Sequence, residues 1–456
     1  MTTTPIDFLE ELRWRGLLHQ CTDEQGLAAH LADPGANPRR AYAGFDPTAD
    51  SLTIGNLVPI MALVHFARAG HKPLVVMGGG TGMIGDPSGK SAERTLMTTE
   101  TIAANVARQR GIFEAVFAGA GLPEPEIANN ADWLCKLSYL DALRDIGKHF
   151  SVNMMIQKES VKERLHNREQ GISYTEFSYM ILQAYDFAHL FRKQGVTVQL
   201  GGSDQWGNIV AGSDLIRRQH ATQRDPRAST GSASTADNTP PIPHTPHTFG
   251  LTNPLVTKSD GGKFGKTETG AVWLTRERTS PYAIYQFWLN TTDEDIIKFL
   301  KLFTLLTKDE IEALEAAHAE RPGAREAHRA LAHHATALLH GEAEAVNAAN
   351  AAKALFSGQI ADLPKDLLAE VFAEIPSSDH PRTALEGNGV CLTEFLIEVG
   401  LAKSKREARE FLANSSVSIN GHRATPEHTL TPTDLLHDEI IALRRGKKAW
   451  HLTRWS

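Results

Sequence analysis

The stretch RAYAGFDPTADSLTIGNLVPIMALVHFARAGHKPLVVMGGGTG, residues 40–82, decides the fold. Residues 40–46 read as a short strand. A turn, PTADS, follows, then an apolar helix from about Gly55 to Ala69 that Gly70 closes. Pro59 is tolerated because it falls in the first turn or so of that helix. Residues 73–77 (PLVVM) form a buried strand that ends in the glycine-rich turn GGGTGMIG. Strand, helix and strand in this order make a βαβ unit, so an α/β fold is expected, with a parallel sheet covered by helices.

Reading outward, the N-terminus predicts a helix capped by Thr4, with Pro5 in its first turn and Asp7 closing a capping box. Residues 178–192 (SYMILQAYDFAHLFR) read as a buried helix, and 196–200 (VTVQL) as a further strand ended by GGSDQWGN. A first domain is expected over 1–250. It carries a flexible insertion at about 220–248, since Ile242 is the one large apolar residue of 226–248 and such a segment buries too little to offset its ordering entropy. Residues 251–356 read as a loop followed by alanine-rich helices, 357–388 as a linker, and 389–456 as a small basic unit.

The composition excludes several classes. Hydrophobic residues at 41% and charged residues at 22% are ordinary for a globular chain, not for a disordered or collagen-like one. No apolar run approaches the roughly 20 residues that span a bilayer, so no membrane role is expected. Cys21, Cys135 and Cys391 are scattered and odd in number, which argues against a disulfide framework and for a cytoplasmic protein. The net charge of −7 is uneven: residues 401–456 hold ten basic and six acidic side chains, so that end favours a polyanionic partner.

Five constellations carry chemistry. After the first strand stand Tyr42, Gly44, Asp46 and Thr48, then Thr53-Ile54-Gly55-Asn56 at a helix start, where backbone N–H groups and neutral donors suit a phosphate. GGGTGMIGDPSGK meets G-x-G-x-x-G at Gly80, Gly82 and Gly85, but no strand with an acidic end follows, and Ile84 breaks a Walker loop. Asp86 remains as a carboxylate able to hold a cation, with Lys90 and Arg94 beyond it. Tyr179, Gln183 and Asp186, spaced four and three apart, share one helix face among apolar neighbours. Such a stripe either bonds to core groups or surrounds a small polar ligand, and its chemistry suits an amino acid with a hydroxyl group. Gly202, Asp204 and Gln205 follow a strand end, where Asp204 either accepts from a ribose diol or caps the next helix. Lys263, Lys266 and Thr267 lie in a glycine-broken loop that could close over a departing pyrophosphate. His318, His328, His333, His334 and His340 read as surface helix residues, and no metal site is expected. No G-x-S-x-G occurs, so serine hydrolysis lacks its elbow.

Together YAGFDPTADSLTIGNL, GDPSGK, FSYMILQAYDF, GGSDQWGN and KFGKT resemble, in sequence order, the bacterial tyrosyl-tRNA synthetases, which are class I aminoacyl-tRNA synthetases. The resemblance runs from about residue 8 to the C-terminus. It implies a Rossmann-like catalytic domain, a following α-helical domain and a small α+β S4-type RNA-binding domain. It implies a ligase that activates L-tyrosine with ATP and Mg2+ and passes the tyrosyl group to tRNA(Tyr). Tyr42 and Asp186 would bond the phenolic hydroxyl. Tyr179, Gln183 and Asp86 would hold the ammonium group, with Gln205 near it or the carboxylate, and with Gln199 and Asn130 in support. Gly44, Asp46, Gly55, Gly202, Asp204 and Lys266 would bind ATP. Thr48, Thr53, Asn56, Lys263, Lys266 and Thr267 would stabilise the phosphates as pyrophosphate leaves. Lys403, Lys405, Arg406, Arg409, Arg444, Arg445, Lys447 and Lys448 would meet tRNA phosphates. A homodimer with its interface in about 130–175 is likewise implied. Thr53 replaces the first histidine of the family's H-I-G-H signature, and Ala43 stands where many relatives have cysteine. The alternatives are a non-catalytic RNA-binding paralogue and a nucleotidyltransferase acting on another small acid.

Overall fold

The computed structural model describes residues 6–86, 97–158, 161–162, 172–224, 247–259, 261, 264–267, 270–373, 375–446 and 449–456. The chain divides into two compact bodies, Met1–Thr279 with Thr291–His340, and Ser280–Asn290 with Gly341–Ser456.

In the first body six strands run in the order β1 (Gln20–Cys21), β6 (Phe249–Asn253), β5 (Val196–Gly202), β2 (Arg40–Phe45), β3 (Lys72–Met77) and β4 (Glu126–Asn129). All neighbours are parallel except β1 against β6. From β2 the chain winds outward to β3 and β4, then returns to the other flank of β2 for β5 and β6. That reversal leaves a crevice at the carboxyl ends of β2 and β5, the place where open parallel sheets bind ligands. Tyr42 is paired with Leu74 on one side and Gln199 on the other, so both polar residues reach the crevice from adjacent strands.

The βαβ unit forms as its sequence dictates. A 3-10 turn, Ile54–Asn56, feeds the helix Leu57–Arg68, in which Leu57, Val58 and Ile60 through Phe66 are all buried. A helix apolar on nearly every side belongs in the interior. The helix Tyr174–Gln194 starts at Ser173, whose hydroxyl accepts from the Glu176 N–H, and stops at Gly195 with φ 65°. Its Ala184, Phe187, Ala188 and Leu190 join Tyr42, Leu74, Val76, Val196 and Leu215 in one core.

Three expectations change. The first helix is Phe8–Arg15 and its cap is Asp7, which accepts from the Glu10 N–H at 2.9 Å. Thr4 and Pro5 lie outside the described residues, as does most of the expected insertion (225–246); the helix Trp206–Arg224 runs up to it. His328 is fully buried rather than on the surface, and burial pulls its imidazole down to about 4. The helix Glu326–His340 packs on the helices Lys308–Glu320 and Ile296–Phe303, and single-helix spacing does not reveal which positions meet a neighbour.

In the second body residues 357–388 are not a bare linker. They contain the helix Lys365–Val371 and the strand Ser377–His380, which pairs parallel with Ala449–Trp455. Leu368, Val371 and Phe372 share a core with Ile440, Ala442 and Leu452. The apolar i, i+3, i+4 positions of that short helix find their partners some 70 residues away, which punctuation by Pro and Gly conceals.

Candidate active site

The crevice above β2 and β5 is a cavity of about 630 Å³. Tyr42, Gly44, Asp46, Thr48, Thr53, Gly55, Asn56, Asp86, Tyr179, Gln183, Asp186, Gly202, Asp204 and Gln205 all line it. Residues from four separate stretches of sequence thus converge on one space.

One end is a buried polar corner. Asp186 is 4% exposed and accepts two hydrogen bonds, from Asn130 Nδ2 at 2.9 Å and from Trp133 Nε1 at 2.7 Å. Burial pushes its carboxyl up to about 7, with the nearby Asp46 charge adding to the rise and the Asn130 and Trp133 donors opposing it. The Tyr42 hydroxyl, 2% exposed, has no hydrogen-bond partner, and its phenol is raised by burial first and then by the charge of Asp186. The amide oxygens of Gln183 and Gln199 are also buried without partners. Native proteins rarely leave such groups unpaired, so a cluster of them lining a cavity marks a place for a polar ligand.

Tyr179 donates its hydroxyl to Asp46 Oδ2 at 2.9 Å, while Asp46 Oδ1 accepts from Thr81 Oγ1 at 2.8 Å. Asp46, expected to face ATP, stands just past the end of β2, is bonded to Tyr179 of the polar stripe and lines the same cavity. Gly78 is required beneath it, because a Cβ there would lie 2.1 Å from Asp46 Oδ1. Asp86 accepts from Gln205 Nε2 at 2.7 Å, and Gln205 Oε1 accepts from Asn208 Nδ2 at 3.2 Å. Asp46 and Asp86 both raise the phenol of Tyr179, after burial. Two carboxylates so close to one buried phenol make a corner suited to a cation such as an ammonium group.

The other end is glycine-lined and open. Nothing lies within 4 Å of a Cβ placed on Gly44, so a ligand has direct access to the β2 backbone. Beside it, Asn56 Oδ1 accepts from both the Thr53 N–H and the Thr53 hydroxyl at 3.0 Å. The Thr53 hydroxyl, expected to donate to phosphate, here donates to Asn56, and both residues line the cavity. Lys263 lies outside the described residues, as do Lys90 and Arg94, and for Lys266 and Thr267 the backbone alone is described. That backbone is the hairpin β7 (Lys266–Thr267) with β8 (Gly270–Ala271). It is joined to the Thr53 turn: the Ile54 N–H donates to Val272 O at 2.9 Å, and the Val272 N–H to Gly265 O at 2.9 Å. Gly265 has φ 76°, and a Cβ there would come within 2.6 Å of Ile54 Cγ2. Two motifs some 200 residues apart are one structural unit.

Sequence reasoning missed Thr81 and Trp133 and reached Asn130 through resemblance alone. Asn130 is the hub: its Oδ1 accepts from the Gly80 N–H at 2.7 Å, and its Nδ2 donates to Thr81 Oγ1 and Asp186 Oδ2, both at 2.9 Å. Its signal was position, immediately past the end of β4 at the crevice side of the sheet.

In the second body Lys403, Lys405, Arg406 and Arg409 are exposed on or beside the helix Lys405–Ala413, with Lys405 paired to Glu394. Arg444 and Arg445, also expected to meet phosphates, make contacts within the second body. Arg444 donates to Leu355 O at 3.2 Å and lies over Trp450; Arg445 donates to Leu401 O at 2.8 Å and lies over Phe411. Both carry contacts of the fold at the partly exposed end of the strand Ile440–Arg445, whose first four residues are buried. Lys447 and Lys448 lie outside the described residues.

Residues 35–357 match the family described as tRNA synthetases class I (W and Y), and residues 369–453 match the tyrosine–tRNA ligase SYY-like C-terminal domain. The chain is 48% identical to the tyrosine–tRNA ligase of Bacillus caldotenax, over 99% of this chain and all of that one. It is 44% identical to that of Staphylococcus carnosus, over 98% and 99%. Among solved structures, a C-terminally truncated mitochondrial tyrosyl-tRNA synthetase of Coccidioides posadasii superposes with a TM-score of 0.63 at 31% identity, covering 75% of this chain and 91% of that one. With its crevice at the reversal of a parallel sheet, its buried polar corner and its glycine-lined approach, the chain belongs to the tyrosine–tRNA ligases, class I aminoacyl-tRNA synthetases.

Proposed function

We propose that the buried corner binds the side chain of L-tyrosine, with its phenolic hydroxyl between Asp186 and Tyr42 and its ammonium group among Tyr179, Gln183, Asp86 and Gln205. The observation that carries this reading is the pairing of an orphaned Tyr42 hydroxyl with a buried Asp186 held by two fixed donors. A ligand hydroxyl can donate to the carboxylate and accept from the phenol at once. ATP takes the open end, its adenosine along Gly44, Gly202 and Asp204 and its phosphates toward Thr48, the Thr53 to Asn56 turn and the Lys263–Lys266–Thr267 loop. Mg2+ enters on the triphosphate as part of the substrate.

The tyrosine carboxylate then attacks the α-phosphorus and pyrophosphate leaves. A carboxylate is already a nucleophile, so no base is required; alignment and charge stabilisation supply the rate. The terminal adenosine of tRNA(Tyr) attacks the acyl carbon of the adenylate in the second step, releasing AMP. The exposed Lys403, Lys405, Arg406 and Arg409 are the phosphate contacts we assign to tRNA. Tyrosine-dependent ATP–pyrophosphate exchange tests the first step: exchange with tyrosine and not phenylalanine is expected, and no exchange with tyrosine would refute it.

We also propose a homodimer. Among the described residues, seven of the nine exposed large hydrophobics (Tyr139, Leu140, Leu143, Val152, Met154, Ile156 and Tyr174) fall within 139–174. Such a concentration of apolar surface suits a protein interface. Sedimentation of the wild type and of Leu140→Asp with Val152→Glu tests it; a wild-type monomer would end the idea. A cytoplasmic location is supported by the three free cysteines. No described helix is long and apolar enough to cross a membrane.

A further inference from the structure

Away from the cleft, three segments of the first body bring Asp293, His318 and His328 together. Their ligand-type atoms lie within 4.8 Å of one another. Asp293 sits in the turn before the helix Ile296–Phe303, His318 on the helix Lys308–Glu320 and His328 on the helix Glu326–His340. We propose that this cluster is a binding site for a zinc-class divalent transition metal, held by Asp293 Oδ1, His318 Nε2, His328 Nε2 and the main-chain oxygen of Thr291.

The spacing supports it. Asp293 Oδ1 lies 3.8 Å from His318 Nε2 and 3.3 Å from His328 Nε2, and Thr291 O lies 3.1 Å from His328 Nε2. A tetrahedral ion with bonds of about 2.0–2.1 Å separates its ligands by about 3.3 Å. In the chain alone, one nitrogen of His328 faces two oxygen acceptors and can present a single hydrogen to them. A cation between Asp293 Oδ1 and the two Nε2 atoms, with Thr291 O beside His328 as the fourth ligand, would answer both acceptors at once. Binding through Nε2 places the ring proton of each histidine on Nδ1, which in both rings is buried with no hydrogen-bond partner, so no acceptor behind either ring opposes or enforces that tautomer. Two imidazoles with a carboxylate suit zinc rather than magnesium or calcium, which select oxygen-only sets.

The position gives such an ion a task. The turn that carries Asp293 also carries Asp295, whose Oδ2 accepts from the Ser259 N–H at 2.9 Å and the Ser259 hydroxyl at 3.0 Å. Lys298 Nζ donates to Thr257 O at 2.7 Å, and Phe264 packs on Phe299 and Phe303. The same turn and helix thus anchor the segment leading into the lysine loop. A metal tying them to two further helices would stiffen that support.

The test uses the full-length chain, treated with a chelator and then titrated with Zn2+ or with Co2+ as a spectroscopic probe. Wild type is compared with Asp293→Asn and His318→Gln. The Asp293 side chain is 60% exposed, so its replacement leaves the fold intact. Expected are one tight ion per wild-type chain, a tetrahedral Co2+ spectrum displaced by Zn2+, and a Zn2+-dependent rise in Tm. Each variant should weaken binding by at least the roughly 10- to 100-fold seen when a zinc site loses a supporting group. Failure of wild type to retain the ion overturns the proposal. So does equal affinity in all three proteins, which would place binding among the other histidines of the 20 in the chain.

Discussion

Replacing Asp186 by alanine should collapse the preference for tyrosine over phenylalanine. In the wild type, phenylalanine would fill the pocket but leave two buried groups, the Asp186 carboxyl and the Tyr42 hydroxyl, without the ligand's hydroxyl. A buried polar group left unsatisfied costs about 1–3 kcal/mol, and more if charged. Two such groups amount to about 2–6 kcal/mol, a preference of roughly 30-fold to 10⁴-fold in kcat/KM. The alanine variant retains the Tyr42 hydroxyl alone, so about 1–3 kcal/mol should remain, roughly 5- to 150-fold. It also frees Asn130 Nδ2 and Trp133 Nε1 from their 2.9 and 2.7 Å bonds, and water can enter the vacated space from the cleft. Pyrophosphate exchange measured with both amino acids gives the ratio directly. A ratio unchanged within about threefold, in a variant whose circular dichroism matches wild type, would show that Asp186 does not read the hydroxyl.

The same carboxyl gives a pH prediction. Its folded value of about 7 lies above the ordinary value of 3.8, so between these limits the folded state binds the extra proton. Stability of the ligand-free protein should therefore fall as pH rises from 4 to 7, by up to about 1.4 kcal/mol per pH unit, and flatten above 7; urea melts of wild type should show this component and Asp186→Asn should lack it. Gly265→Ala forces a side chain onto φ 76° at about 1–2 kcal/mol and toward Ile54 Cγ2; adenylate formation should slow while tyrosine binding, followed by equilibrium dialysis, holds. Lys266→Ala should lower the rate of adenylate formation with little change in ATP binding, and the reverse pattern in single-turnover kinetics would defeat its assignment to the transition state. Arg406→Glu with Arg409→Glu should spare pyrophosphate exchange and weaken tRNA charging, with a reduced salt dependence; equal charging would refute the assignment.

Much of the site was legible before any coordinates. Tyr179, Gln183 and Asp186 fall on one helix face by spacing alone, and their apolar neighbours already place that face inward. The rule that parallel sheets bind at carboxyl ends located Gly44, Asp46 and Gly202 from the order of strands. What local sequence left open has one cause. Asp46 turns toward Tyr179 and Thr81, Thr53 donates to Asn56, and Arg444 and Arg445 bond to carbonyls of the fold; in each case a polar side chain with chemistry to offer finds a partner inside the protein first. Which partner is nearest is not written in local sequence.

The sequence by itself determined the βαβ scaffold, the polar stripe and the identity of the chemical groups, because hydrophobic period and turn chemistry act over a few residues. Only the tertiary structure decided that the Thr53 turn and the lysine hairpin are one unit, that Asn130 and Trp133 orient Asp186, and that residues 357–388 belong to a core. It also assembled Asp293, His318 and His328, which no spacing rule on one helix could join. Those outcomes depend on contacts between segments tens to hundreds of residues apart, where the backbone path, and not the neighbouring side chains, sets who meets whom.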